Sequence, residues 1–268
     1  DIRKTISQIE PKKGKKRTIQ YRPDGNDFVC VNGKNRYTRA LYGGITDFRI
    51  ETSDRPVFAT YKPKDSKHIC FRLQCGNQSI ALDSLKFCEA RYRAGRRTYR
   101  LTDPLLGKGE LNISVLAFPD AEGGIWRFTM KDMPEGALLH CYISEIRAKN
   151  LSRNGDMGAD RADSFDAPQL PKEQKHYKLS LDGTTAYIVV EDQELRLPAL
   201  VEGTSLYDKS EKWRSEIESS LQISTPDPYF NPLGGALAAA ADGIWDGKIW
   251  LHGAIGWRAQ LNGWRAAY

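Results

Sequence analysis

Residues 89–101, with the sequence EARYRAGRRTYRL, alternate charged and apolar side chains on both sides of Ala94 and Gly95. Successive side chains of a β-strand point to opposite faces, so this alternation predicts two strands that are each buried on one face only. The Ala-Gly pair between them predicts a tight turn. We therefore expect a β-hairpin, with its arginines on the solvent face: Arg91, Arg93, Arg96, Arg97 and Arg100.

Short segments of the same kind run from about residue 18 to residue 200. They are rich in β-branched and aromatic residues, which favour strands. Glycine-containing turn pairs separate them, at positions 24–25, 32–33, 43–44 and 182–183. Strands do not alternate with helical patterns, which argues against a parallel α/β fold. We predict a mainly β protein whose residues 1–200 form a large antiparallel β-sandwich.

The character of the sequence changes after residue 200. Residues 201–224 predict a linker helix, with a capping box formed by Asp208 and Glu211. Trp213, Ile217 and Leu221 recur at helical spacing and predict one apolar stripe.

Residues 225–268 predict the beginning of an α-helical domain. Asn231 is suited to cap a helix, and Pro232 is suited to its first position. The Leu-, Ala- and Gly-rich residues 233–245 predict the helix itself, and Asp246 with Gly247 predicts the turn that ends it.

Composition narrows the possible functions. The net charge is +6, and the basic residues cluster in residues 12–17 and in the arginine-rich hairpin. We interpret both clusters as solvated surface and expect no nucleic-acid partner. No apolar run approaches the length of a membrane span, so we expect none. The first residue is Asp1, and a removed signal peptide would explain it. We accordingly expect a secreted or periplasmic protein.

Cysteine and carboxylate spacing predicts neither a metal site nor a cofactor. The five cysteines form no CxxC pair and lie in apolar segments, which favours buried thiols over a disulfide framework. Residues 148–174 form a long polar excursion in which four aspartates permit a calcium loop, although their spacing is not that of an EF-hand. The four histidines show no local pairing, which argues against a mutarotase-like epimerase.

The most distinctive stretch is WLHGAIGWRAQLNGWRAAY, residues 250–268, in which tryptophans recur at a spacing of seven. Indole rings stack on the C–H faces of sugars, and Arg, Asn and His side chains hydrogen-bond their hydroxyls. Packing of these indoles in a core is the alternative, but three glycines interrupt any helix here. Either arginine of the stretch is also suited to pair with a carboxylate. The candidate carbohydrate-contacting residues are Trp250, His252, Trp257, Arg258, Asn262, Trp264 and Arg265.

A β-sandwich, a linker helix and then helices with Trp- and Arg-rich loops resemble bacterial six-hairpin glycosidases. The resemblance is carried by residues 225–247 and 250–268, and less specifically by residues 36–44 and 103–120. It implies a galactose-mutarotase-like supersandwich that precedes an (α/α)₆ catalytic barrel. By this resemblance the chain is the N-terminal part of a glycoside hydrolase and its partners are a carbohydrate and the rest of its own catalytic domain.

The resemblance also implies that the catalytic carboxylates lie beyond residue 268, so we assign no catalytic residue and expect no activity from this chain alone. Asp242 is a weak candidate for orienting a site residue, and Asp246 is interpreted as a turn residue. Four sandwich carboxylates are interpreted as ordinary strand-end and turn residues: Asp47, Glu51, Glu110 and Glu122. The alternatives are a stand-alone carbohydrate-binding sandwich and a non-catalytic interaction domain.

Overall fold

A computed structural model of the protein describes residues 20–62, 65–145 and 176–251. These residues form a mainly β structure with 15 strands and two α-helices. In chain order the strands are β1 (Arg22–Asp24), β2 (Asp27–Val31), β3 (Arg39–Tyr42), β4 (Arg49–Thr52), β5 (Phe58–Lys62), β6 (Asp65–Cys75), β7 (Gln78–Ala81), β8 (Phe87–Arg93), β9 (Arg96–Thr102), β10 (Glu110–Ala117), β11 (Gly123–Lys131), β12 (Leu138–Glu145), β13 (Tyr177–Ser180), β14 (Thr185–Glu191) and β15 (Glu194–Arg196). The helices are α1 (Leu200–Ser219) and α2 (Leu233–Gly243).

The strands form two antiparallel sheets that pack face to face, which confirms the predicted sandwich. Sheet A has eight strands in the order β1-β2-β8-β9-β10-β11-β14-β15. Sheet B has seven strands in the order β13-β12-β6-β5-β4-β3, and β7 pairs with the far end of β6. A buried core of apolar residues from both sheets lies between them.

Aromatic side chains join the two sheets at the centre of this core. The Phe58 ring from sheet B lies 5.7 Å from the Trp126 ring of sheet A and 5.6 Å from the Tyr99 ring, both edge to face. Phe71 of sheet B contacts the same Trp126 ring at 6.4 Å. Edge-to-face geometry places positive ring edges against negative ring faces, so these contacts stabilise one alignment of the two sheets.

The predicted hairpin is present as β8 and β9. Its turn consists of Ala94 and Gly95, both with positive φ, as the twist of a two-residue hairpin requires. The prediction that all five arginines face solvent is wrong for Arg97, which is 0% exposed. Arg97 lies directly opposite Tyr92 in the hairpin and points with it into the sandwich. Strand parity decided its direction, because Arg97 is two residues from Tyr99, whose side chain is also buried.

Buried polar groups surround the Arg97 guanidinium. Its Nη2 donates to the Tyr21 hydroxyl (2.7 Å) and to the Ser53 carbonyl (2.8 Å), and lies 3.9 Å from an Asp54 carboxylate oxygen. The Tyr99 hydroxyl donates to the same carbonyl at 2.8 Å. Burial raises the pKa of Tyr99 to about 12 although the positive charge of Arg97 lowers it. This network connects sheet A to the segment that follows β4 of sheet B.

The remaining hairpin arginines are paired with carboxylates, most of which lie outside the hairpin. Arg93 contacts Glu218 at 2.7 Å and Arg96 contacts Glu211 at 2.8 Å, both on α1. Arg91 has three carboxylate neighbours. The Arg93 and Arg96 pairs hold α1 against the hairpin, so the basic cluster has an internal structural role.

Helix α1 packs on the outer face of sheet A, over β10, β11 and β14. Gly203 permits the close approach, because a Cβ there would lie 2.4 Å from the Tyr187 ring. The predicted capping box is wrong, because the helix begins at Leu200 after an extended Ala199 and Asp208 is therefore an interior residue. The face that is buried on the sheet includes Tyr207, Ser210 and Arg214.

The predicted stripe of Trp213, Ile217 and Leu221 is not the buried face of α1. The first two residues line a cleft against α2, and Leu221 follows the end of α1 and is 42% exposed. Helix α2 begins at Leu233, close to the prediction, but Asn231 does not cap it. The Asn231 Oδ1 instead accepts a hydrogen bond from the Thr225 backbone N–H at 2.8 Å and closes the proline-rich segment on itself.

All five cysteines are free thiols, and four of them are buried: Cys30, Cys70, Cys88 and Cys141. Burial raises the pKa of Cys70 to about 11 and that of Cys88 to about 12. A thiol that stays protonated is a poor nucleophile. The interpretation as buried thiols is confirmed for these four residues.

Candidate functional site

Trp250 is the only one of the seven predicted carbohydrate-contacting residues that the structure describes. The other six lie outside the described residues, as do the polar excursion with its possible calcium loop and the basic run at residues 12–17. The site is therefore built from Trp250 and its described neighbours.

Trp250 pairs with Trp245 across a short turn, and the two indoles form what we term the indole pair. Their ring centroids are 4.6 Å apart with an interplanar angle of 50°, and the two backbones form an antiparallel bridge. The two residues are 37% and 38% exposed. Trp245, which the sequence analysis placed at the end of a helix, lies instead in this turn structure and was not predicted as a site residue.

Local hydrogen bonds hold the turn between the indoles. An Asp246 carboxylate oxygen accepts from the backbone N–H groups of Ile249 (2.8 Å) and Lys248 (2.9 Å), and these bonds lower the pKa of Asp246. Gly247 adopts a φ of +94°, which glycine accommodates without strain. Asp246 is thus a turn residue, as predicted.

Contacts with the sandwich hold the indole pair in place. The Thr46 hydroxyl donates to the Trp245 carbonyl at 2.5 Å, and Leu251 is 3% exposed. At the end of α2, Gly243 lies flat on the Tyr42 ring, where a Cβ would be 2.5 Å from the ring. The indole pair is therefore supported by the end of sheet B.

A small apolar cleft lies between α1, α2 and the sandwich, and it reaches Asp242, whose carbonyl accepts a hydrogen bond from the Trp245 backbone N–H at 3.1 Å. It has a volume of about 70 Å³, which is room for a few water molecules or one sugar substituent rather than a sugar chain. Its lining includes Tyr42, Trp213, Ile217 and Asp242.

Asp242 is the one carboxylate among the described residues that line this cleft. Burial raises its pKa above the ordinary value for aspartate, as it does for carboxyl groups that act as general acids. Glycoside hydrolysis usually requires two carboxylates that face each other across the substrate. We therefore assign no catalytic role to Asp242.

Glu51 was predicted to be an ordinary strand-end or turn residue, and this prediction is wrong. Glu51 lies inside β4, is 6% exposed and accepts a charged hydrogen bond from Arg49, which itself stacks over the Tyr61 ring at 4.2 Å. Glu110 and Glu122 pair with Arg100 and Lys62 as surface residues do. Among the described residues no group of three or more His, Cys, Asp and Glu side chains could hold a metal ion.

The sandwich also brings two histidines together that are far apart in the sequence. The His140 and His176 rings lie 5.7 Å apart, because β12 and β13 are neighbours. The His140 Nε2 lies 2.6 Å from the Gln74 side-chain oxygen. The sequence offered no signal for this pair, since residues 146–175 separate the two strands along the chain.

We expect His140 to make the fold sensitive to mild acid. Burial, and then the nearby positive groups His176 and Lys178, lower the pKa of His140. The unfolded chain therefore binds the proton more readily, so stability is present above a pH of about 6.5 and is lost as the pH falls below it. Between about pH 7 and about pH 5, the free energy of unfolding measured by urea denaturation should fall less for His140→Asn than for the unmodified protein. Equal losses in both proteins would contradict this role.

The comparisons with known proteins concern the sandwich alone. A family described as a domain of unknown function, DUF4450, matches residues 63–192, which is slightly less than half of the chain. The matched segment reaches from β6 through β14 and contains neither the two helices nor the indole pair. No curated protein matches the sequence. Neither helix in the described part of the chain is long and apolar enough to cross a membrane.

Proposed function

We propose that this chain is the N-terminal part of a glycoside hydrolase of the six-hairpin type and that it supplies sugar-contacting residues. The observation that supports the proposal is the partly exposed indole pair, Trp245 and Trp250. A tryptophan that serves only as core is buried, as Trp126 is at 0% exposure. Two half-exposed indoles that are fixed by a turn offer a rigid stacking surface for sugar rings.

The surroundings of the indole pair fit this role. Tyr42 and Asp242 line the cleft between α1, α2 and the sandwich, and side chains of these types can recognise a sugar hydroxyl group. Residues 252–268 follow Trp250 directly in the chain and include the other six predicted contact residues. A supersandwich followed by an (α/α)₆ barrel, with the catalytic carboxylates in that barrel, remains part of the proposal, as does a secreted or periplasmic location.

Trp250→Ala is expected to weaken binding of a neutral oligosaccharide by about tenfold, because a tryptophan that the ligand covers is among the residues that contribute most to affinity. Cellohexaose, xylohexaose and mannohexaose can be titrated in turn while tryptophan fluorescence is measured. Trp245→Ala should have a similar effect, since the two indoles form one surface. Phe230→Ala is the matched control, because Phe230 is 53% exposed and does not belong to the indole pair. Absence of binding to all three sugars, or equal weakening by the control, would exclude the stacking surface.

A stand-alone carbohydrate-binding sandwich is the second candidate, because residues of this chain alone form the indole pair. The intact mass of the protein isolated from its natural source separates the two. The hydrolase requires a mass well above the 30.2 kDa of this sequence, whereas the binding module requires a mass close to it.

A further inference from the structure

The outer face of sheet A has an apolar half and a polar half. Helix α1 covers the apolar half, where Tyr207 packs with residues of β10, β11 and β14. The rest of this face, across β8 to β11, is open and forms a groove of about 270 Å³. We term it the sheet A groove.

Two rows of polar side chains cross the sheet A groove, because residues opposite each other in neighbouring strands point to the same face. The strand register defines the first row as Arg91, Thr98, Ser114 and Arg127. It defines the second row as Glu89, Arg100, Asn112 and Thr129. The two rows thus combine charged side chains with the hydrogen-bonding groups of threonine, serine and asparagine.

Carboxylates of the protein neutralise two of the three arginines in these rows. Arg91 lies 2.8 Å from an Asp24 oxygen and 2.9 Å from a Glu89 oxygen. Arg100 lies 3.3 Å from a Glu110 oxygen and 3.7 Å from a Glu89 oxygen. Their charges are therefore already matched.

Arg127 differs from both. Its guanidinium lies 3.9 Å from the centroid of the Tyr207 ring, and within the described part of the chain it has neither a hydrogen bond nor an ion pair. The Tyr207 hydroxyl is held by Ser114 at 2.7 Å, which fixes the ring that supports the guanidinium. Arg127 is thus an oriented, partly buried cation at one end of a polar groove, and no carboxylate among the described residues pairs with it.

We propose that the sheet A groove binds a uronic acid residue of a glycan, with the sugar carboxylate on Arg127. A planar guanidinium can donate two parallel hydrogen bonds to a carboxylate, and stacking on an aromatic ring orients it for this. Thr98, Thr129 and Asn112 line the same groove and carry donors and acceptors of the kind that sugar hydroxyl groups require. This site is separate from the indole pair and does not depend on the proposed hydrolase activity.

Calorimetric titration with trigalacturonate, compared with the neutral galactotriose, tests the proposal on the full chain. Trigalacturonate should bind at least about tenfold more tightly than galactotriose, because hydrogen bonds between charged groups are stronger than neutral ones. Arg127→Gln should remove this preference, and Arg127→Lys should retain part of it, since lysine keeps the charge without the planar fork.

Arg72→Gln is the matched control. Arg72 lies on sheet B with its guanidinium hydrogen-bonded to Ser79, so this variant loses the same charge at a distant place and should bind trigalacturonate normally. The proposal fails if trigalacturonate does not bind, if galactotriose binds equally well, if acetate at the same concentration displaces the sugar, or if Arg127→Gln and Arg72→Gln weaken binding equally. Thermal unfolding of each variant verifies that it is folded.

Discussion

Arg97→Met is expected to lower the free energy of unfolding by about 3–5 kcal/mol, because it leaves the charge of Asp54 buried without a cation. Both side chains are 0% exposed. Asp54 would keep its hydrogen bonds from the Asn35 backbone N–H (2.9 Å) and the Thr38 hydroxyl (3.1 Å). These bonds solvate the carboxylate but do not neutralise it. A domain of this size is stable by about 5–15 kcal/mol, so the variant is expected to be only marginally folded.

Arg91→Met is the matched control for this experiment. Arg91 lies in the same hairpin and has three carboxylate neighbours, but its side chain is 33% exposed. Exposed ion pairs contribute about 0–1 kcal/mol, so this variant should lose little stability. Urea denaturation of both variants measures the difference directly. The double variant Arg97→Met/Asp54→Asn should recover part of the loss, because it removes the unpaired charge. Similar losses for Arg91→Met and Arg97→Met would show that the buried network has no special role.

Gly44→Ala is expected to destabilise the protein by about 3 kcal/mol or more, because overpacking at a rigid contact forces the backbone to move. A Cβ at position 44 would lie 1.9 Å from the Pro119 carbonyl oxygen, and one at position 43 would lie 2.0 Å from the Phe118 carbonyl oxygen. The Gly44 backbone N–H also donates to the Phe118 carbonyl at 3.2 Å. The segment after β3 thus meets the connection between β10 and β11 backbone to backbone, and this contact closes one end of the sandwich.

Gly183→Ala is the control for this substitution. A Cβ at position 183 would have no neighbour within 4 Å, and the residue is not in the left-handed region. Its replacement should be neutral or stabilising by about 0.4–1 kcal/mol, because alanine restricts the unfolded chain. The midpoint temperature of thermal unfolding should therefore fall for Gly44→Ala and stay the same or rise for Gly183→Ala. Equal midpoint temperatures for the two variants would show that the backbone at Gly44 can move to accept a Cβ with little loss of stability.

The sandwich could be predicted from the sequence because strand alternation and turn-forming residues are local properties of the chain. The hairpin of β8 and β9 formed as expected, with Ala94 and Gly95 at its turn. The alternation also indicated that Arg97 is buried, because Arg97 and Tyr99 lie two residues apart on the same face of the strand. The prediction was wrong because it assumed that a charged residue faces solvent. Parity is the stronger constraint, because a change of register would turn every side chain of the strand to the other face.

The helices show a different limit of sequence analysis. Both exist where expected, but the buried face of α1 is not its most apolar stripe. Gly203 and Tyr207 are buried against sheet A, whereas Trp213 and Ile217 line the cleft that α1 forms with α2 and the sandwich. A helix that packs on two partners has two contact faces, and the periodicity of one apolar stripe does not tell which partner each residue meets.

Local patterns in the sequence determined that the described part of this chain is an antiparallel β-sandwich followed by two helices, because strand alternation, turn pairs and helical spacing each depend on residues that are close together in the sequence. The tertiary structure decided which groups from distant segments meet. It placed Asp54 beside Arg97, His140 beside His176, and Trp245 against Trp250 on the end of sheet B. It also left Arg127 as a stacked cation in an open groove. Charge compensation and exposure depend on distances through space, which the spacing of residues along a strand does not contain.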